Sequence, residues 1–409
     1  MDNVTHSLAG VVLARWVTPP EGENSENPST RWKHAVLWAG ILGSNLPDFD
    51  FLLNPISGFG KISYLLQHRG YTHTLVVTVL LGILLGGILS RVYGWKGKPR
   101  MTLILLSILS GWTHIGMDFW NNYGVHPFWP IHNQWFYGDT IFIIEPLLWI
   151  TLGTLTLKGT YLKKLKGFYL FCLIGLAGLM VFGPFLKGIH VTFVFLIAGF
   201  WIYFLKKSSI YWTEKKWGFI CILVIWGGFS VFGQYAKAII RSHATPGYEW
   251  VDFSKTPVPS HPLCWRTLTL ERKGDELLSQ SSWISVIPSL ISARMCSEFF
   301  PRYDSDEVLS ESPQRMVQWA ANTHISDLIK WDKNHCDFHA FLAWSRFPYW
   351  KSQEDRLVWF SDLRYKRKGA PQFASSDAGP ADANCDRFIP GWTPVRSDLL
   401  SAKNLDQSH

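Results

Sequence analysis

His114 and Asp118 stand four residues apart. On a helix that spacing puts an imidazole and a carboxylate on one face. Such a pair is a two-ligand platform for a divalent ion such as Zn²⁺ or Mn²⁺. His68 and His73 flank Arg69-Gly70-Tyr71-Thr72. Five apart, they do not share a helix face, but a turn at Arg69-Gly70, which Gly70 permits, would let them converge. Asp48 and Asp50 follow Asn45-Leu46-Pro47 and add two carboxylates, and His6, close to Asp2, adds another imidazole. Arg69 is suited to an anionic group, phosphate first. Asp50 or Glu145 is suited to accept a proton from water. Thr precedes His at Thr5-His6, Thr72-His73, Thr113-His114 and Thr323-His324, and a neighbouring hydroxyl could fix an imidazole tautomer. Taken singly, these groups are also explained by helix-to-helix hydrogen bonds, interfacial anchors or helix stops.

The elements that must position them are apolar. Of 409 residues, 47% are hydrophobic and 17% charged, against roughly 25% charged in an average soluble domain. Mean hydropathy is nonetheless close to zero, at +0.06, so two unlike parts are averaged. Between Phe51 and Ala236 the acids are Asp118, Asp139, Glu145 and Glu214 alone. Bases cluster at Arg91–Arg100, Lys158–Lys166 and Lys206–Lys216. Between the clusters run stretches about long enough to cross ~30 Å of hydrocarbon as helices, near 74–92, 101–120, 141–157, 167–186, 189–205 and 217–236. A further span is read over 34–53, and Val4 to Val17 is apolar but short.

Positive clusters in every second loop set the orientation. Loops 93–100, 158–166 and 206–216 are expected in the cytoplasm. Loop 121–140 and everything after Ala236 are expected outside. This places Asp48, Asp50, His68, His73, His114, Asp118, Asp139 and Glu145 at one membrane face, with His6 joining them if the N-terminus is outside. Helix-gluing contacts have no reason to gather at one leaflet, whereas a metal site does. The aromatic loop 121–140 reads as an interfacial belt or as a lid, with His126 and His132 as reserve ligands. The net charge of +8 is thereby assigned to cytoplasmic loops rather than to a nucleic-acid partner.

After Arg241, charges of both signs return. Cys264–Glu271 and Leu357–Leu363 alternate as strands do, and Pro313 to Ile329 reads as a helix with Ser312 as N-cap. The expected fold is mostly α: a polytopic helical membrane domain (1–240) that carries the site, a C-terminal extramembrane α+β domain (241–368), and a Pro/Ser/Ala/Asp-rich tail (369–409), partly disordered. Cys264, Cys296, Cys336 and Cys385 fall in the outer part and are compatible with two disulfides, for which three pairings exist.

The chain resembles the YdjM-like family of bacterial membrane-bound metal-dependent hydrolases. The resemblance rests on Met1-Asp2-x-x-Thr5-His6-x-x-x-Gly10, Leu46-Pro47-Asp48-x-Asp50, His68-Arg69-x-x-Thr72-His73 and His114-x-x-x-Asp118 followed by Tyr123-Gly124. Pro262 to Arg266, Arg346-Phe347-Pro348 and Asp362-Leu363-Arg364-Tyr365 are similar to longer members. The resemblance implies a multi-pass inner-membrane protein with metal-dependent hydrolase activity.

The sequence therefore leads to a divalent ion, Zn²⁺ first, held by His6, Asp48, His68, His73, His114 and Asp118. Asp50 or Glu145 would act as base, Arg69 would meet an amphiphilic ester or phosphoester, and membrane lipids would surround the whole. An ion transporter is the alternative, but its site belongs near the midplane. A plain membrane anchor for the C-terminal domain leaves the clustered His and Asp unexplained.

Overall fold

The computed structural model describes residues 1–17, 29–159, 211–299, 308–365, 373–382 and 385–400, with Gly167 and Gly199 besides. The spans expected at 167–186 and 189–205 lie outside these residues. The protein is helical in its N-terminal region and carries antiparallel sheets with helices in its C-terminal region. The chain divides into two compact units.

The first unit comprises Met1–Phe49, Tyr71–Trp129 and Thr140–Ser230. Its helix α1 (Asn3–Ala14) starts where the Asp2 carboxylate accepts the Val4 and Thr5 N–H groups, an N-cap that satisfies donors the helix leaves open. Helix α2 (Thr30–Gly43) is capped by Ser29. The span expected over 34–53 ends early, at Gly43. The Asn45 side chain donates to the Ile41 carbonyl at 2.8 Å, Pro47 cannot continue the hydrogen-bond ladder, and the chain passes into a 3-10 turn, Leu46–Leu53.

Short helices α3 (Asn54–Ser57) and α4 (Lys61–Gln67) follow, then α5 (Leu75–Val92), α6 (Lys98–Phe119), α7 (Pro146–Gly159) and α8 (Tyr211–Ser242). Leu75–Val92, Lys98–Phe119 and Phe219–Ser242 are long and apolar enough to cross a membrane. On α5, Leu80, Ile83, Leu84 and Ile88 are exposed, as a lipid-facing stripe should be.

Small residues bring the first unit's helices close. A Cβ on Gly10 of α1 would stand 2.3 Å from the Gly40 carbonyl oxygen of α2, and one on Gly40 would stand 2.2 Å from that of Gly10. Gly82 and Gly86 of α5 meet Ile108 and Ile104 of α6 in the same way, the close approach that small residues at i and i+4 allow. Ala14, Trp32, Ala35, Val36, Leu89, Leu103 and Leu106 form a core behind these contacts. We expect Gly10→Ala to lower the thermal midpoint of the detergent-purified protein. Overpacking costs about 1–3 kcal/mol, more than the ~1 kcal/mol that Ala gains as a helix former. A variant that melts at or above the wild-type temperature would show that α1 and α2 do not meet backbone to backbone.

The second unit comprises Asp50–Gly70, Pro130–Asp139 and Val231–His409. A five-stranded antiparallel sheet, ordered β1-β2-β3-β5-β4, is built from β1 (Glu249–Val258), β2 (His261–Lys273), β3 (Glu276–Ser285), β4 (Ser310–Glu311) and β5 (Arg315–His324). A second sheet holds β6 (Pro348–Gln353), β7 (Arg356–Asp362) and β8 (Ser375–Asp377). Glu354 and Asp355 link β6 to β7 with φ of 49° and 62°, as a two-residue type I′ turn requires. Helices α9 (Ala293–Glu298), α10 (Ile325–Asn334), α11 (Cys336–Leu342) and α12 (Ser397–Leu400) complete the unit.

The helix expected over 313–329 is instead strand β5 followed by α10. Ser312 does accept the Arg315 N–H at 3.0 Å, as an N-cap would. Pairing with β3, from Glu276↔His324 to Ile284↔Arg315, then outweighs the local helix signals, and Val317, Trp319 and Thr323 suit a pleated surface. The two disulfides are Cys264–Cys296 and Cys336–Cys385.

The second unit has a buried ionic core. The Arg346 guanidinium donates to both Asp252 oxygens at 2.9 and 3.0 Å and to Asp139 Oδ2 at 2.9 Å. It lies 4.1 Å from the Tyr137 ring centroid. Asp362 accepts the Arg346 and Phe347 N–H groups, the Ser345 hydroxyl and the Arg364 guanidinium. Arg346-Phe347-Pro348 and Asp362-Leu363-Arg364 are thus two halves of one hydrogen-bonded junction.

Candidate metal centre

Three segments of the first unit deliver four side chains to one point. Asp48 comes from the 3-10 turn after α2. His73 ends a short 3-10 turn, Tyr71–His73, ahead of α5. His114 and Asp118 come from the last turns of α6, four apart on one face. One ligand atom from each of the four lies within 4.8 Å of every other. His73, His114 and Asp118 are buried, and Asp48 is partly so.

The spacing of these atoms is informative. His73 Nε2 and His114 Nε2 are 3.0 Å apart. Each imidazole Nε2 is 3.3 Å from Asp118 Oδ2 and 3.5 Å from Asp48 Oδ1. Four N and O donors placed tetrahedrally at ~2.0–2.1 Å from one ion are roughly 3.3–3.4 Å from one another. Five edges of the tetrahedron therefore have about the length that a zinc-sized ion requires. The group could hold a metal ion, and the donor set of two imidazoles and two carboxylates suits a divalent one.

The surrounding residues orient these donors. His114 Nδ1 lies 2.7 Å from the Ser44 carbonyl oxygen. A carbonyl can only accept, so Nδ1 carries the proton and the neutral ring turns its Nε2 lone pair toward the cluster. Asp48 Oδ2 accepts from the Asn3 amide at 2.8 Å, leaving Oδ1 for the histidines. Thr72 Oγ1 lies 3.2 Å from His73 Nδ1. The Thr-His idea holds at that pair but not at the others. Thr113 donates to the Leu109 carbonyl, Thr5 bonds Asp2 and Trp149, and Thr323-His324 ends β5.

His6 adjoins the four. Its ring stacks on His114 with centroids 3.7 Å apart, and its Nε2 is 3.3 Å from Asp118 Oδ1. The Met1 amino group also contacts Asp118. The opening motif now has a physical reading. Asp2 caps α1, and the Trp149 indole N–H of α7 donates to Asp2 Oδ2 at 3.1 Å and to Thr5 Oγ1 at 2.9 Å. His6 then faces the cluster, and Gly10 lets α2 approach one turn later. His126 is buried as well. Burial, with the neighbouring His73 charge, drives its imidazole down to about 3, which keeps it neutral at physiological pH.

Three expected site residues fall in the second unit. Asp50 is buried, accepts the Arg69 N–H at 2.8 Å, and lies 3.2 Å from His68 Nδ1. Arg69 is itself buried and adopts φ of 60°, so the expected turn at Arg69-Gly70 exists. His68 nevertheless bonds Asp50 and is not one of the four clustered residues. Glu145 is buried and accepts the Leu147 N–H at 3.1 Å, capping α7, and it too is outside the four. Asn3, Ser44 and Trp149, which position the donors, carry no signal in the spacing of His and Asp residues. Asn3 alone falls inside the opening motif.

Residues 1–187 match the YdjM inner membrane protein family. Over 151 residues the chain is 26% identical to a Bacillus subtilis (strain 168) protein described as uncharacterized protein YfhP, a match that covers 37% of this chain and 44% of that one. The chain thus spans less than half the length of that relative. No solved structure matches. Asp48, His73, His114 and Asp118 all lie within the stretch that is similar to this family.

Proposed function

We propose that the protein is a membrane-embedded, zinc-dependent hydrolase acting on an amphiphilic ester or phosphoester. The observation that carries this reading is the cluster of Asp48, His73, His114 and Asp118, in which five donor-to-donor distances are 3.0–3.5 Å. A divalent ion in such a set supplies Lewis-acid polarisation of a phosphoryl or acyl oxygen and a more acidic water. This chain's own residues hold the set in place through the Ser44 carbonyl and the Asn3 amide. His6, stacked on His114, is placed to serve as a fifth donor or to carry a proton at Nε2. Asp50, paired with His68, and Glu145, capping α7, are already bonded. His6 is nearer the clustered donors than either carboxylate is shown to be, stacked on His114 and 3.3 Å from Asp118, and for that reason is our choice of proton acceptor.

The orientation set by the basic loops supports an outward-facing site and a C-terminal region outside the cytoplasm. The two disulfides agree with an oxidising compartment. The test is turnover by the purified protein on amphiphilic phosphodiesters and carboxylic esters. Chelation is expected to abolish it, zinc to restore it, and His114→Ala to leave background hydrolysis only. Turnover indifferent to both chelator and His114→Ala would remove the hydrolase reading.

A further inference from the structure

A cavity of about 380 Å³ lies within the first unit, between α1, α6, α7 and α8. Its lining is apolar but for Arg15 and Thr113. Leu13 of α1, Met117 of α6, Leu152 of α7 and Phe219 of α8 represent the walls, and Arg15 is the one charged residue in the lining. The Arg15 guanidinium donates to the Leu155 carbonyl, which holds it against the cavity. The volume is within the range of small-molecule sites, roughly 300–1,000 Å³. An apolar cavity between helices with one cation in its wall matches the chemistry of a lipid, an acyl chain along the apolar lining and an anionic headgroup at the arginine.

Gly116 is the wall residue that relates the cavity to the metal helix. It sits midway between His114 and Asp118 in α6, two residues from each. At ~3.6 residues per turn, that offset points it to the opposite side of the helix. A Cβ placed there meets nothing within 4 Å, so the glycine leaves open space instead of a helix contact. A glycine that no packing requires, in the interior of a helix, weakens that helix. What it does provide is room in the cavity directly behind the metal-bearing turn.

We propose that this cavity binds one acyl chain of an anionic phospholipid, with the phosphate at Arg15 and the chain packed along Gly116. The proposal does not depend on the hydrolase reading, because the cavity lies on the opposite face of α6 from the ligands. The test uses the purified, delipidated full chain and native mass spectrometry, with titration of phosphatidylglycerol or of phosphatidylcholine with the same chains. Wild type is expected to take up one phosphatidylglycerol in preference to phosphatidylcholine. Arg15→Gln should reduce that preference roughly fivefold, the worth of one basic residue near a phosphate. Gly116→Leu fills the open space and should weaken both lipids roughly tenfold or more, while its thermal midpoint stays at or above that of wild type, since Leu is the better helix former. Gly116→Leu protein that binds lipid as wild type does would overturn the proposal. So would equal uptake of the two lipids by wild type, or no uptake at all.

Discussion

Purified wild-type protein is expected to carry about one equivalent of divalent metal, and the His73→Ala/His114→Ala double variant none. The two imidazoles supply half of the donor set, and their Nε2 atoms form its shortest edge, 3.0 Å. With both gone, Asp48 and Asp118 remain as two carboxylates, which do not hold a zinc-sized ion in a four-donor site. Metal analysis by mass spectrometry after gel filtration reads the result directly. Asp50→Asn is the informative companion. Asp50 bonds His68 and the Arg69 N–H, so its loss should leave metal content at the wild-type level. Equal metal in wild type and the double variant would remove the centre. Metal lost from Asp50→Asn alone would move its position.

The second large effect is expected at Arg346. This side chain is buried and binds Asp252, Asp139 and the Phe253 carbonyl. Arg346→Met leaves two carboxylates in a site that water hardly reaches, and breaking a buried pair from one side costs about 3–5 kcal/mol. A large drop in the thermal midpoint of the full chain is the expected readout, with part of it recovered when Asp252→Asn is added. A midpoint within a degree of wild type would show that the junction carries no stability. The pair also sets an acid limit. Burial raises the Asp252 carboxyl, but the Arg346 charge outweighs it and holds the group below the usual carboxylate range. Its contribution is therefore complete above the ordinary Asp value of about 3.9 and is lost only as pH falls through the lower folded value.

How much of this was legible in the sequence depended on the kind of signal. His114 and Asp118 were readable because a helix fixes the direction of residues four apart. Asp48 and Asp50, and likewise His68 and His73, looked equivalent because a residue list carries no direction. In the structure each pair is divided. Asp48 and His73 join the His114–Asp118 cluster, while Asp50 and His68 bond each other, and that division depends on turns whose geometry no periodicity encodes. The apolar spans over α5, α6 and α8 were evident from length and composition. The early end of α2 was signalled by Pro47 but overridden by the apolar run around it. Strand β5 was missed because its pairing partner, β3, is remote in sequence. The disulfide pairing was open for the same reason, and so were the Arg346 contacts.

The two short helices that meet at Gly10 and Gly40 have a consequence for the bilayer itself. Helix α1 has 12 residues and α2 has 14, so at ~1.5 Å per residue they reach about 18 and 21 Å, well short of a ~30 Å hydrocarbon layer. Hydrophobic mismatch of that sign is met by local thinning of the membrane. In the membrane-embedded reading proposed above, such thinning would let headgroups and water approach α1 from both sides. On that reading the bilayer beside α1 is thinner than elsewhere, and the proposed amphiphile would have less hydrocarbon to cross on its way to the donors.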